Sequence, residues 1–273
     1  MPDRPLTLMA VHAHPDDEGS STGGVLARYA DEGVRTVLVT CTNGEQGDGP
    51  GGVKPGEDGH DVDAVVATRR RELEASCAVL GVAHLELLGY RDSGMMGWPQ
   101  NDAPDAFWNT PVDVAAAKLA ALMERYRPQV VVTYDEHGFY GHPDHIQANR
   151  ITLAAAEATG IPERVYYPAV PRSMLAELAD VLREQGAEMP EPVADDVEFG
   201  TPDELVTTFV DCTAYADRKY DSLRAHASQA ENIFFLNMGR ELFATVFGRE
   251  MFVRALDRTG TPVPEDDLFV GLR

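Results

Sequence analysis

Cysteine is scarce in this chain. There are three in 273 residues, Cys41, Cys77 and Cys212, with no CxxC spacing among them. That pattern excludes a disulfide framework and suits a reduced, cytoplasmic setting. Positive charge is also short: 23 Lys and Arg against 45 Asp and Glu leave a net charge of −22. Such a surface lacks the clustered cations that grip a phosphate backbone, so neither nucleic acid nor an anionic membrane is an expected partner. No apolar run reaches secretory or transmembrane length. What the chain does have is 44% hydrophobic residues, enough for one large core or two unequal ones.

Taken in order, Leu6–Val11 reads as a short buried strand, residues 20–31 as a helix with capping hydroxyls at Ser20, Ser21 and Thr22, and Gly33 as its stop. Val34–Thr42 is rich in β-branched residues and forms a second strand. Residues 43–62 are polar and glycine-rich and form a loop. Its Gly47-Asp48-Gly49-Pro50-Gly51-Gly52 formally matches a dinucleotide fingerprint, but no helix opens behind it and its flanks are acidic. A helix over Val65–Leu80, a strand at Leu85–Leu88 and a helix carrying Ala115, Leu119, Met123 and Tyr126 on one face follow. Gln129–Tyr134 is a fourth strand, Ile146–Thr159 a helix, and Val165–Tyr167 a fifth strand.

This alternation predicts an α/β fold: a Rossmann-like, mostly parallel sheet covered by helices on both faces. Residues 1–168 form the α/β core. Residues 169–273 form a C-terminal α/β extension that packs on the same sheet and walls the site, with helices at 172–185, 214–227 and 239–256 and a strand at 205–210. Sites in such sheets gather beyond the carboxyl ends of the strands.

At two of those strand ends the sequence concentrates histidine and carboxylate. Ala13-His14-Pro15-Asp16-Asp17-Glu18 follows the first strand, and Gly141-His142-Pro143-Asp144-His145 follows the fourth. His14 and Asp17, three apart, can aim at one point, and His145 can complete a His-Asp-His site with room for water. Asp16 is then a spare carboxylate able to take a proton from water and return it to a leaving amine. His142 can stabilise an oxyanion with Asp144 orienting its ring, or can itself be a ligand in place of His145; spacing leaves both open. Two histidines and a carboxylate suit Zn(2+) and leave Fe(2+) open. His12, on the strand itself, reads as structural.

The paired motifs resemble the LmbE-like, or PIG-L, zinc-dependent de-N-acetylases, over most of residues 6–168. A less specific stretch, Arg224-Ala225-His226-Ala227-Ser228-Gln229, resembles the mycothiol-pathway members of that family. The resemblance implies that His14, Asp17 and His145 bind zinc, that Asp16 is general base and acid, and that His142 holds the oxyanion with Asp144 as its partner. It adds Tyr140 as a residue that polarises the substrate carbonyl, and Arg69 and Asp92 as residues that hold sugar hydroxyls. It implies removal of an acetyl group from an N-acetylglucosaminyl substrate such as N-acetylglucosaminyl-inositol, with a small amino-sugar as the partner. Cleavage of a mycothiol S-conjugate is the alternative within the family, since some motifs lie closer to the amidase members. Gly19 departs from the serine usual after Glu18. A non-catalytic metal-dependent sugar-binding module explains the ligands but leaves Asp16 and His142 idle. A two-carboxylate glycosidase leaves the histidines idle. The sequence leaves open whether the chain forms a homo-oligomer.

Overall fold

A computed structural model describes residues 5–49, 51–184, 200–229 and 236–273. Among these residues seven strands, β1 (Thr7–His12), β2 (Arg35–Thr42), β3 (His84–Tyr90), β4 (Val130–Val132), β5 (Arg164–Ala169), β6 (Thr208–Asp211) and β7 (Arg249–Asp257), form one sheet in the order β3-β2-β1-β4-β5-β7-β6. β1 to β5 pair in parallel. β7 runs antiparallel to both of its neighbours. The fold is therefore the mostly parallel α/β arrangement that the alternation predicts.

The centre of the sheet has no polar face. Every residue of β1 is buried, and its alternate side chains enter two separate cores. Met9 and Val11 join Val37, Val39 and Val131 under α4 (Val112–Tyr126) and α6 (Pro143–Thr159). Leu8 and Ala10 join Leu38, Val130 and Val132 under α2 (Gly23–Asp31) and α3 (Val62–Leu80), where Leu268 and Phe269 of the chain end also pack. Among the described residues no helix is long and apolar enough to cross a membrane.

Three local expectations change. The helix expected at residues 20–31 starts earlier and is broken at Thr22 into α1 (Asp17–Ser21) and α2. No hydroxyl caps α2. Instead Glu250, on β7, accepts the N–H groups of Gly24 and Val25 at 2.7 and 2.9 Å, so a distant carboxylate meets the helix's unpaired donors. The helix expected over 239–256 ends at Phe247 as α9 (Gly239–Phe247), following α7 (Arg172–Glu184) and α8 (Ala216–Ala225), and the chain continues as β7. Local propensity does not reveal this switch; pairing with the open edge of β5 decides it. The strand expected from Leu205 begins at Thr208. Most of the acidic, proline-containing stretch before it, residues 185–199, lies outside the described residues.

The strand order reverses direction around β1. From β1 the chain builds outward through β2 to β3, then returns to place β4 on the other side of β1. Loops leaving β1 and β4 therefore diverge and open a crevice at the carboxyl end of the sheet, where such folds bind their ligands.

Candidate active site

Both histidine motifs meet in that crevice. The chain leaves β1 and turns sharply, with the backbone N–H of His14 donating to Asp17 Oδ2 at 2.8 Å. Across the crevice, β4 runs on to Tyr134 and then to α5 (Gly138–Gly141), a kinked turn in which Phe139 takes a positive φ of 66°. That turn delivers His142 to the N-cap of α6, with Pro143 at the first helical position. His14 Nδ1 lies 3.3 Å from His145 Nε2 and 3.4 Å from Asp17 Oδ2, and His145 Nε2 lies 3.6 Å from Asp17 Oδ1. All three side chains are buried.

This trio fits a metal ion. Ligand atoms about 2.0–2.2 Å from a tetrahedral ion lie about 3.3–3.6 Å from one another; the His14–His145 pair has that spacing, and each ring nitrogen has it to one oxygen of the Asp17 carboxylate. The protonation pattern fits too. Asp144 Oδ2 lies 3.2 Å from His14 Nε2, which places the proton on Nε2 and turns the lone pair of Nδ1 toward His145 and Asp17. His14 also forms part of a second cluster, with Asp92, His142 and Asp144, and ring nitrogens of His14, His142 and His145 come within 4.8 Å of one another.

The electrostatics favour positive charge at the centre and neutral rings around it. Burial disfavours a charged His14, but Asp92, Asp144 and Asp17 outweigh it and hold its pKa well above the ordinary value. Burial would also raise Asp17, but His145 and His14 outweigh it and hold the carboxyl well below its usual range. His145 is driven down to about 3, by burial first. His142 is lowered for the same reason, reinforced by His14 and His145. Three carboxylates facing one imidazole select for a cation, whether proton or metal.

Asp16 sits at the lip of the site, half-buried, with a φ of 122° that a residue with a side chain rarely adopts. Burial raises its pKa to about 6, against the pull of the Arg69 guanidinium. Arg69 departs from the expectation of a sugar-binding side chain. It is buried on α3, and its guanidinium donates to Gly44 O at 2.7 Å, Pro15 O at 2.5 Å and Asp16 Oδ2 at 2.7 Å. Its terminal nitrogens are occupied by the protein, so it clamps the turn that presents Asp16.

His142 Nδ1 accepts the backbone N–H of Asp144 at 3.1 Å. A neutral ring held this way carries its proton on Nε2 and offers an N–H donor. The Asp144 carboxylate does not orient that ring, as the resemblance implies. It is fully buried, turned to His14, and accepts both the N–H (2.9 Å) and the hydroxyl of Ser93. Asp92 is buried beside them, its Oδ1 3.8 Å from His14 Nε2, with the N–H of Gly94 donating to it at 2.8 Å. Tyr140, in the kinked turn, stands with its ring centroid 4.9 Å from that of His145. All nine residues singled out from the sequence thus gather at one end of the sheet.

Other residues here had no catalytic or binding role assigned from the sequence. Tyr134 donates to Asp17 Oδ2 at 2.6 Å, accepts the N–H of Ala13 at 2.9 Å and stacks on His145. In the sequence it reads only as the last residue of an apolar strand. His12 is buried between Thr22 Oγ1 and the Tyr134 hydroxyl, 2.8 and 3.3 Å away. Glu18 and His226 face each other at 2.7 Å across 208 positions of chain. Gly19 is explained by packing: a Cβ there would lie 3.0 Å from Ser222 Oγ and 3.1 Å from Leu223 Cδ2 of α8.

At the parallel sheet's switch point, the crevice thus brings together a histidine–carboxylate cluster able to hold a metal ion and a spare carboxylate beside it. Residues 9–156 match the family described as PIG-L: GlcNAc-PI de-N-acetylase, and the chain belongs to that family. It is 45% identical over 282 residues to the 1D-myo-inositol 2-acetamido-2-deoxy-alpha-D-glucopyranoside deacetylase of Acidothermus cellulolyticus, covering 97% of this chain and 95% of that one. Among solved structures, the fold is similar to N,N'-diacetylchitobiose deacetylase from Pyrococcus horikoshii (TM-score 0.54, 21% identity, 82% of this chain and 70% of that one). It is also similar to GalB, a 4-carboxy-2-hydroxymuconate hydratase (TM-score 0.58, 20% identity, 94% and 99%). A deacetylase and a hydratase share this architecture, so the chemistry has to be argued from the site.

Proposed function

We propose that the protein is a zinc-dependent de-N-acetylase that removes acetate from an N-acetylglucosaminyl-inositol. The observation that carries this reading is the convergence of His14, Asp17 and His145 at metal-ligand spacing, with Asp16 beside them and outside the trio. The substrate follows from the deacetylase relative, matched over nearly its whole length.

His14 Nδ1, the Asp17 carboxylate and His145 Nε2 would hold the ion. When bound, it supplies Lewis acidity toward the amide carbonyl and lowers the pKa of water. Asp16, with a pKa near 6, is ionised at neutral pH. It takes the proton of the attacking water and then delivers it to the departing amine. The Nε2–H of His142 is directed by the Asp144 N–H on its other nitrogen and donates to the carbonyl oxygen as negative charge develops there. Tyr140 lies on the same side, in the turn before His142, and assists that donor. Asp92 borders the site and receives sugar hydroxyls.

The test is acetate release by the purified, zinc-loaded protein from a panel of N-acetylglucosaminyl-inositol, mycothiol S-conjugates and simple N-acetylglucosamines. The inositol substrate should be preferred by kcat/KM. Preference for the S-conjugates would reassign the substrate, and metal binding without turnover on any of them would overturn the enzymatic reading. Asp16→Ala should keep its metal and lose about 10²–10⁴-fold in kcat.

A further inference from the structure

The proposed chemistry uses neither Glu18 nor His226, yet both are buried directly behind the catalytic turn. Asp16 holds its positive φ only because its surroundings constrain it, and two groups do so. On one side is the Arg69 clamp on Pro15 O and the Asp16 carboxylate. On the other is Glu18, whose Oε2 accepts the backbone N–H of Asp16 at 3.0 Å. A carboxylate with no exposed surface needs partners of its own. The second oxygen of Glu18 meets the Ser76 hydroxyl on α3 and His226 Nε2 at 2.7 Å.

His226 is also nearly fully buried, and its Nδ1 has no hydrogen-bond partner among the described residues, so Glu18 is the one hydrogen-bond partner found for its ring. It lies just past α8, and the residues that follow it are tied down independently. The N–H of Ser228 donates to Glu72 at 2.9 Å and its hydroxyl to the other Glu72 oxygen at 2.6 Å. Gln229 accepts the N–H of Asp48 and donates to its carbonyl, both at 3.2 Å. Gly19 lets α8 approach α1 closely enough for the ring to reach. The C-terminal part of the chain therefore reaches beneath the catalytic turn and hydrogen-bonds Glu18, the residue that holds the Asp16 N–H.

We propose that His226 is a positioning residue for the general base: through Glu18 it fixes the backbone of Asp16 and so the placement of the Asp16 carboxylate beside the metal site. This rests on the reading of Asp16 as the base. Loss of the imidazole leaves Glu18 free to turn away from the Asp16 N–H, and small displacements of a reacting group cost on the order of 10²-fold in rate.

The experiment is a double-mutant cycle on the zinc-loaded full chain, with kcat, KM and bound zinc measured for His226→Leu, Asp16→Ala and the pair. His226→Leu should lose about 10–100-fold in kcat, with KM and zinc content near wild type. It should cause no further loss once Asp16 is alanine. His226→Gln, which can still donate to Glu18, should recover most of the rate. Should His226→Leu fail to fold, His226→Asn, too short to reach Glu18, takes its place in the cycle. A wild-type kcat in His226→Leu overturns the inference, as does a loss that persists in the Asp16→Ala background or a glutamine variant as impaired as leucine. Near-normal turnover of Asp16→Ala overturns the base assignment itself, a result distinct from all of these.

Discussion

Replacing Asp144 with asparagine separates two roles for the most buried carboxylate of the site. Family resemblance makes Asp144 the partner of His142, whereas its carboxylate reaches His14 Nε2 at 3.2 Å and both donors of Ser93. In Asp144→Asn the amide oxygen can take over the position of Oδ2 and keep the Ser93 N–H and the His14 N–H. The amide nitrogen can donate to Ser93 Oγ, which accepts after rotating its own proton. Packing therefore survives and what disappears is the negative charge behind His14, which makes that ring a better ligand. The expected cost is near the lower end of the about 10–100-fold seen when a partner behind a metal ligand is removed, and each tenfold is about 1.4 kcal/mol. Zinc affinity of the apo-protein, measured by competition with a chromophoric chelator, is the assay, with kcat at saturating zinc as its companion. Weaker zinc binding with most of kcat recovered at excess zinc supports the contact with His14. Unchanged zinc affinity with a large loss of kcat would refute it and return Asp144 to His142.

Other expectations follow from contacts behind the site and at the far end of the sheet. Tyr134→Phe removes a buried hydroxyl that donates to Asp17 and accepts from Ala13. Urea unfolding should show a loss of about 1.5–3 kcal/mol, the range for a hydrogen bond to a charged group, and a change under 0.5 kcal/mol would remove Tyr134 from the network. Arg164 is fully buried against Asp257, Glu265 and the carbonyls of Leu268 and Val270, pinning the chain end to β5. Arg164→Met should cost near the low end of about 3–5 kcal/mol, since Arg254 still faces Glu265; a stable variant would show that the end packs without it. Burial opposes the charge on His226 but Glu18 outweighs it and raises the pKa. A raised folded-state pKa stabilises below the unfolded value, about 6.5, and that contribution disappears as pH rises through the folded value. The Tm advantage of wild type over His226→Gln should therefore be largest in mildly acid buffer and shrink in alkaline buffer. An advantage independent of pH would mean that the ring is neutral throughout.

That His14, Asp17 and His145 would meet, with Asp16 beside them, was legible because the information is local. His14-x-x-Asp17 and His142-x-x-His145 each place two side chains on one turn, and the strands before them are apolar enough to be recognised. Alternation of strand and helix then brings both turns to the same end of a parallel sheet. Neither the direction taken by the Asp144 carboxylate nor the target of Arg69 could be read this way. Both depend on rotamers set by neighbours from other elements, Ser93 after β3 for one and the Gly44 and Pro15 carbonyls for the other. β7 was misread because a short segment of mixed character pairs wherever an open sheet edge is offered, and that edge exists only after β5 has formed.

What the sequence determined by itself was the inventory and its grouping: which donors exist, which are adjacent on a turn, and that a parallel sheet carries them. Tertiary structure alone decided the pairings between groups far apart in the chain, Asp144 with His14, Tyr134 with Asp17, and Glu18 with His226. The physical reason is that a buried charge or hydroxyl needs a partner but does not specify which one. Only the packing of β1 against β4 and of α8 against α1 selects among the candidates.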